Sequence, residues 1–227
     1  MTRCGAVTSR SRCALPLSLT RKGRSSVSDL LEHIAPTHLV PEGHYGPQGS
    51  AGVTAHAVET PAAATLVARK GATARLIVAC AAAGLPLADG PRVSAGAGLE
   101  AAGTAPGRWL VLAEGVSGAD LVARLAAMAP GLAAITDQSD ANLILDISGE
   151  KARAALAKGV TVDLDPTAFA AGDAATTTVS HVGVTFWRRD ADTYRFAVGR
   201  SFAPAFLRWL TVSAAEYGFA LSGTGRG

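Results

Sequence analysis

The feature that most constrains the fold is a pair of apolar segments that flank a short polar turn near the end of the chain. Residues 181–187 and 193–198 are the apolar segments, and residues 188–192 (RRDAD) form the turn. Apolar side chains occupy every second position of both segments: Val182, Val184, Phe186, Tyr194, Phe196 and Val198. A period of two predicts strands with one buried face, and two such strands around a short turn predict a β-hairpin.

An earlier region repeats the order of these elements and part of their sequence. Residues 108–112 (RWLVL) are followed by Ser117 and a helical pattern, and residues 195–198 (RFAV) are followed by Ser201 and a helical pattern. A repeated order of elements predicts a repeated supersecondary unit. The sequence therefore predicts an α+β fold of two β-α-β-β-α units, a pseudo-duplication in which helices cover antiparallel sheets.

The elements of each unit follow from hydrophobic spacing and from residues that end helices. The first unit contains a strand over 64–68, a helix over 73–83 that ends at Gly84, strands near 99–102 and 108–112, and a helix from Ser117 to Pro130. Asp120 is the expected capping partner of Ser117. The second unit contains a strand over 142–147, a helix over 149–157, the hairpin and a last helix. That helix is expected to bury Phe202, Phe206, Trp209, Leu210 and Tyr217.

These patterns divide the chain into five segments. Residues 1–26 are a leader, 27–60 an N-terminal helix with an extended arm, 61–131 the first unit, 132–220 the second unit, and 221–227 a flexible tail. The N-terminal helix begins at Ser28 and ends at Pro36. The arm that follows is rich in proline and glycine, and it packs either on its own domain or on a partner.

The leader differs in composition from the rest of the chain. Residues 1–26 contain six basic side chains and no acidic one, and they lack the apolar core of a secretory signal. Their composition resembles a transit peptide. The competing hypothesis places the native start at Val27, where a protein-like segment begins. Detection of a peptide from residues 12–21 by N-terminal mass spectrometry would contradict this hypothesis.

Composition and charge exclude several classes of protein. Of the 227 residues 48% are hydrophobic, enough for a core, and no apolar run reaches the ~18 residues of a membrane helix. After residue 26 the chain has 15 basic and 18 acidic side chains, so it lacks the clustered cations of a nucleic-acid-binding protein. Cys80 is the one cysteine beyond the leader and is expected in the core, which indicates a reducing, cytoplasmic location.

Catalytic, cofactor-binding and metal-binding signatures are not found in the sequence. The glycines at 96, 98 and 103 miss the spacing of a dinucleotide-binding loop, and the five histidines miss the spacing of a zinc site. His181 is interpreted as a histidine at the edge of a sheet, and Asp146 as a carboxylate bonded within a turn or at a helix start. Asp163 and Asp165 are interpreted as loop residues beside Pro166. We therefore predict no catalytic, cofactor-binding or metal-binding residue in this chain.

Two places are candidate partner interfaces. Arg200, Ser201 and Phe202 bring a cation, a hydroxyl and an aromatic ring together at a helix start, where they could hold an anion or a partner's carboxylate. The alternative is that Ser201 caps the helix and Phe202 lies in the core, and the sequence leaves both open. The second candidate comprises Leu30, Leu31 and His33 of the N-terminal helix.

Several stretches in order resemble one protein family. They are residues 28–36 (SDLLEHIAP), 68–71 (ARKG), 107–110 (GRWL), 137–139 (DQS), 147–149 (ISG), 172–178 (GDAATTT) and 200–204 (RSFAP). Together they resemble the gamma subunit of heterotetrameric sarcosine oxidase over residues 28–218. The resemblance implies a non-catalytic subunit of an oxidoreductase that demethylates sarcosine to glycine, reduces O2 to H2O2 and passes the one-carbon unit to tetrahydrofolate.

The same resemblance implies a division of labour between subunits. FAD, covalently bound FMN, NAD and the folate site belong to the alpha and beta subunits, and zinc belongs to the small delta subunit. The gamma subunit is expected to hold no cofactor and to pack chiefly against alpha.

The gamma fold is in turn similar to the folate-binding domain of the glycine-cleavage aminomethyltransferase. This likeness supplies an alternative, a free-standing folate-dependent enzyme. Those enzymes carry paired aspartates on the hairpin, whereas residues 182–187 contain no carboxylate, which leaves the chain without a group to assist proton transfer. A further alternative is a non-enzymatic assembly protein outside sarcosine metabolism.

Overall fold

The computed structural model of the chain describes residues 38–59 and 61–224. The helices are α1 (Thr73–Ala82), α2 (Gly118–Met128), α3 (Ala152–Leu156) and α4 (Ala203–Ala214). The strands are β1 (Gly43–Tyr45), β2 (Val53–Ala57), β3 (Ala62–Ala68), β4 (Val93–Gly96), β5 (Leu99–Ala105), β6 (Arg108–Ala113), β7 (Ala133–Asp137), β8 (Asn142–Ser148), β9 (Ala174–Val179), β10 (Val182–Arg188), β11 (Thr193–Gly199) and β12 (Phe219–Ser222).

The strands form two sheets with the same internal order. The smaller sheet runs β4-β5-β6-β3-β7, and the larger runs β9-β10-β11-β8-β2-β12-β1. Along the chain, β3-α1-β4-β5-β6-α2-β7 and β8-α3-β9-β10-β11-α4-β12 therefore occupy matching places, with β2 inserted between β8 and β12. The predicted α+β pseudo-duplication is confirmed, and each unit has two strands more than the sequence indicated.

The additional strands shift the predicted segment boundaries. β7 pairs with β3, so the first sheet extends beyond residue 131, where the sequence placed the end of the first unit. β12 pairs with both β1 and β2, so residues 221 and 222 belong to a sheet rather than to a tail. β1 and β2 lie within the segment predicted as an arm, and β2 pairs with β8. β1, β7 and β12 are short and show little hydrophobic alternation. β2 does alternate apolar and polar residues, but it follows a stretch rich in proline and glycine.

The sheets pack face to face, and the helices cover their outer faces. One core lies under α1 and α2 and includes Leu76, Cys80, Trp109 and Leu125. Another lies under α3 and α4 and is built largely from aromatic and branched residues of the hairpin and α4. A third cluster fills the space between the sheets and consists of Ala63, Ala102, Leu110, Leu112, Ile144, Ala174, Trp187 and Ala197. The predicted covering of antiparallel sheets by helices is confirmed, with β2 and β12 as a parallel pair within the larger sheet. The buried position of Cys80 is confirmed as well.

The hairpin and most helix ends match the sequence. β10 and β11 pair in antiparallel register, and their alternating apolar side chains lie in the core beneath α4. Ser117 caps α2, because its hydroxyl accepts a hydrogen bond from the Asp120 backbone N–H at 3.1 Å. α1 ends beside Gly84, which has a φ of +89°. α3 is shorter than the predicted 149–157, since Gly149 has a φ of +120° and residues 150 and 151 form a turn.

Two predictions concern membrane helices and the N-terminal residues. Within the described ranges, no helix has the length and apolarity to cross a bilayer. The predicted leader, the start at Val27 and the helix that begins at Ser28 lie outside the described residues.

Candidate functional site

A buried arginine lies at the centre of the polar groups between the two sheets. Arg195 of β11 is directly opposite Asp146 of β8, and its side chain is only 4% exposed. Its Nε donates to Asp146 Oδ1 at 2.7 Å and its Nη2 donates to Asp146 Oδ2 at 2.7 Å. This two-bond geometry matches the planar fork of a guanidinium to a carboxylate. Asp146 is therefore an ion-pair partner rather than the turn or helix-start residue that the sequence suggested.

Glu100 connects this pair to the other sheet. Its Oε2 accepts a hydrogen bond from Arg195 Nη1 at 2.8 Å, and its Oε1 accepts one from the Trp187 indole at 2.9 Å. Arg189, in the turn of the hairpin, approaches Glu100 at 3.5 Å and Asp146 at 3.3 Å. Because Glu100 lies on β5 and the other groups belong to the larger sheet, the cluster joins the two sheets through charge-assisted hydrogen bonds.

The surroundings of Arg195 keep its guanidinium charged. Burial alone lowers the pKa of this group, but the hydrogen bonds to Asp146 and the charges of Glu100, Asp146 and Glu114 raise it above the ordinary arginine value. A buried cation that keeps its charge requires paired anions in fixed positions. Asp146 and Glu100 supply them.

A cavity of about 450 Å³ lies beside this cluster. Its lining consists of Ala95, Gly98, Leu99, Glu100, Leu112, Ala113, Glu114, Arg189 and Arg195. Asp146 and Glu100 already accept hydrogen bonds from Arg195, whereas a general base needs a carboxylate that faces the proton it removes. This arrangement holds charges in place between the sheets, and it pairs no nucleophile with a base.

The predicted interface residues fall into two groups. Leu30, Leu31 and His33 lie outside the described residues. Arg200 and Phe202 belong to a 3-10 turn, Arg200–Phe202, that leads into α4. Phe202 is 56% exposed, and no side chain in the described part of the chain caps α4. The alternative in which Ser201 is a cap and Phe202 a core residue is therefore wrong, as is the expectation that the last helix buries Phe202.

Arg200 lines a groove that begins where the described chain begins. Its Nε donates to the Asp140 carbonyl at 2.8 Å. Leu39, Leu143 and Ile144 line the same groove, whose volume is about 90 Å³. Leu39, near the start of the described range, therefore lies in the same groove as Arg200.

The remaining candidate residues lie in a turn, in a loop or in the core. His181 and Ser180 form the two-residue turn between β9 and β10, with φ of 72° and 45°. Asp163 and Asp165 lie in a loop, as predicted, where each carboxylate accepts a backbone N–H two residues on. Phe206 is fully buried, as predicted, whereas Trp209 is half-buried. Trp187 of the hairpin is fully buried as well.

Sequence reasoning missed Glu100, Arg189 and Arg195 as members of one cluster. A signal for part of it was present, since Asp146 and Arg195 each interrupt an otherwise apolar strand with opposite charges. Two such strands predict a cross-strand ion pair if they are neighbours. No sequence pattern indicated that Glu100 would reach them from the other sheet.

Comparison with known proteins identifies a family. A family model described as sarcosine oxidase, gamma subunit family, matches residues 68–216. Sarcosine oxidase subunit gamma of Corynebacterium sp. (strain P-1) is 31% identical over 113 residues, which is 49% of this chain and 55% of that protein. The chain thus spans about half the length of this curated relative. The family match begins at residue 68, so the resemblance in residues 28–36 stays a prediction.

Two solved structures share the fold. Heterotetrameric sarcosine oxidase from Corynebacterium sp. U-96, in complex with pyrrole 2-carboxylate, has a chain that matches with a TM-score of 0.65 and 22% identity, over 86% of this chain and 96% of that one. Glycine cleavage system aminomethyltransferase T from Bartonella henselae matches with a TM-score of 0.54 and 17% identity, over 76% of this chain and 48% of that one. The expected likeness to the aminomethyltransferase fold is therefore confirmed.

Proposed function

Because the chain belongs to the sarcosine oxidase gamma subunit family, we propose that it is the accessory gamma subunit of a heterotetrameric sarcosine oxidase. The complex would demethylate sarcosine oxidatively to glycine, reduce O2 to H2O2 and transfer the one-carbon unit to tetrahydrofolate. The single observation that carries this proposal is the match of the family model to residues 68–216, which include β4 to β11 and therefore strands of both sheets.

In this proposal the chain itself catalyses nothing. FAD, FMN, NAD and the folate site belong to alpha and beta, zinc belongs to delta, and the complex resides in the cytoplasm. Two observations support a structural role. The carboxylates between the sheets are paired with Arg195 and Arg189, and residues 182–187 of the hairpin contain no carboxylate that could assist folate chemistry.

The surface proposed to contact alpha contains Arg200 and Phe202, continued by Leu30, Leu31 and His33. An exposed aromatic ring beside an arginine is typical of residues that dominate binding at interfaces. Leu39 and Arg200 line one groove, and Leu30, Leu31 and His33 precede Leu39 by a short stretch of sequence. This continuity supports one interface rather than two separate ones.

The experiment is an affinity purification of the tagged chain after co-expression with the genes that adjoin its own. We expect two larger subunits and one small subunit to co-purify, with a yellow flavin spectrum and sarcosine-dependent production of peroxide. The isolated chain should be colourless and should not oxidise sarcosine. A chain that purifies alone and binds tetrahydrofolate would instead support the free-standing folate enzyme.

The same purification tests the interface with two matched variants. Phe202→Asp places a charge at an exposed aromatic position, and we expect it to reduce recovery of the larger subunits by roughly tenfold or more, as for a residue that dominates an interface. Val78→Asp makes a comparable change at the 68% exposed Val78 of α1, in the other helical layer, and should leave recovery unchanged. Equal recovery with both variants would show that Phe202 does not contribute to the interface.

A further inference from the structure

A second cavity lies at the other end of the space between the sheets. Its volume is about 190 Å³, and its lining consists of Thr65, Thr104, Arg108, Trp109, Leu110, Asn142, Thr185 and Ala197. Asn142 is the first residue of β8, whereas Asp146 of the charged cluster lies near the end of that strand. Thr104 and Arg108 flank the turn of the β5–β6 hairpin. The cavity is therefore separate from the charged cluster and draws its polar groups from both sheets.

Several polar side chains of this cavity lack protein partners. Across residues 38–59 and 61–224, the side chains of Thr65, Arg108 and Asn142 make no hydrogen bond or ion pair with another residue. The two other hydroxyls make weak or long contacts: Thr104 donates to the Arg108 carbonyl at 3.3 Å, and Thr185 lies 3.1 Å from the Thr176 hydroxyl. Hydrogen-bonding groups that converge on one space without partners are available to a ligand or to water.

The charge of the lining decides which ligand fits. Among the described residues, Arg108 is the one charged member of the lining, and no acidic side chain belongs to it. The nearby Asp89 is occupied, because its Oδ1 accepts the Gly107 backbone N–H at 2.8 Å. Arg108 is exposed and shares this lining with hydroxyl and amide groups. A guanidinium in such a place favours an anion, since it can donate two parallel hydrogen bonds to an oxyanion.

The volume of the cavity and its single positive charge narrow the choice of anion further. A space of about 190 Å³ corresponds to roughly six water molecules at about 30 Å³ each. A singly charged anion is balanced by one guanidinium, whereas a doubly charged anion would keep one charge uncompensated in a partly enclosed site. A small carboxylate matches the volume and the single positive charge of the cavity better than a phosphate dianion does.

We propose that this cavity is a binding site for a small monocarboxylate, held by the Arg108 guanidinium and by the side chains of Thr65 and Asn142. Thr104 and Thr185 complete the polar wall. The proposal concerns this chain alone and does not depend on membership of an oxidase complex.

The test is a titration of the full isotope-labelled chain followed by ¹H–¹⁵N NMR, with sodium acetate as the carboxylate. We expect saturable shifts of the backbone amides of Thr65, Arg108 and Asn142, with a Kd of about 1–10 mM because so small a ligand makes few contacts. Sodium chloride at equal ionic strength should give no saturable shift, and sodium phosphate at pH 8 should bind more weakly than acetate. Tighter binding of phosphate would overturn the assignment to a carboxylate.

Two variants and a control identify the residues responsible. Arg108→Met should weaken acetate binding by roughly tenfold or more, because it removes the charge while keeping much of the side-chain volume. Thr65→Val, which keeps the shape of the side chain, should weaken binding by roughly threefold to tenfold. Arg75→Met on α1 is the matched control and should bind like the parent chain. Equal binding by Arg108→Met and Arg75→Met, or shifts that never saturate, would overturn the proposal.

Discussion

At the scale of single residues, the most informative position is a charged side chain inside the protein. Arg195 is almost completely buried, and such a position is tolerated only because two carboxylates accept its hydrogen bonds. The same three groups connect β5 with β8 and β11, so one arginine links the two sheets. Removing the arginine leaves two carboxylates in a partly buried space, with only the more exposed and more distant Arg189 as a counter-charge.

This arrangement predicts a large loss of stability for Arg195→Leu. We expect the free energy of unfolding to fall by about 3–5 kcal/mol, because removing one partner of a buried ion pair leaves the other charge buried and poorly compensated. Chemical denaturation of the purified chain measures the change. Arg92→Leu breaks the more exposed pair with Asp173 and should lower the free energy of unfolding by less than about 1 kcal/mol. Equal losses would mean that Arg195 contributes no more than a surface arginine.

At the scale of elements, the helices differ in how they begin. α2 begins with Ser117, whose hydroxyl accepts the Asp120 backbone N–H and donates to the Asp120 carboxylate at 2.6 Å. α4 begins after a 3-10 turn and has Pro204 near its start, without a side-chain cap. Its position is set by burial of Phe206, Leu207 and Leu210 rather than by capping.

Capping variants distinguish these two kinds of helix start. Ser117→Ala should lower the free energy of unfolding by about 1 kcal/mol, since it removes the acceptor of an otherwise unpaired helix N–H. The equivalent change Ser201→Ala before α4 removes no cap and should stay within about 0.5 kcal/mol of the parent chain. Thermal or urea denaturation measures both. A loss at Ser201 as large as that at Ser117 would contradict this account of α4.

At the scale of the whole molecule, several surface carboxylates in both units are held by hydrogen bonds in the folded state. The hydroxyl of Ser139 lowers the pKa of Asp137, that of Thr167 lowers the pKa of Asp165, and a backbone N–H lowers that of Asp190. A hydrogen bond from Lys158 lowers the pKa of Glu216. Each group therefore binds a proton less readily in the folded chain than in the unfolded chain.

The sign of these shifts predicts how stability depends on pH. Their contribution is present above the pKa of the unfolded groups, which is 3.8 for aspartate and 4.5 for glutamate, and is lost as the pH falls through the lower folded values. We expect the melting temperature to decline as the pH is lowered below the pKa values of the unfolded groups. Asp137→Asn should make the decline less steep. A melting temperature that rises on acidification would contradict the direction of the shifts.

How much of the molecule the sequence reveals depends on whether the signal is local. The hairpin, α1, α2, α4 and the duplicated order are encoded in the spacing of apolar residues and in helix ends, which act within a few turns or strands. The edge strands β4, β7 and β9 lack that spacing. Their pairing depends on a neighbouring strand that is distant in sequence, and propensity is a poor guide there.

The sequence by itself determined the α+β class, the repeated unit, the buried position of Cys80 and the strands that carry Asp146 and Arg195. Only the tertiary structure decided that Glu100 completes an ion-pair cluster between the sheets, that Phe202 faces solvent, and that Arg108 shares a cavity with Thr65 and Asn142. The reason is physical. Periodicity indicates which face of an element is buried, whereas the partner across that face is chosen by the packing of segments far apart along the chain.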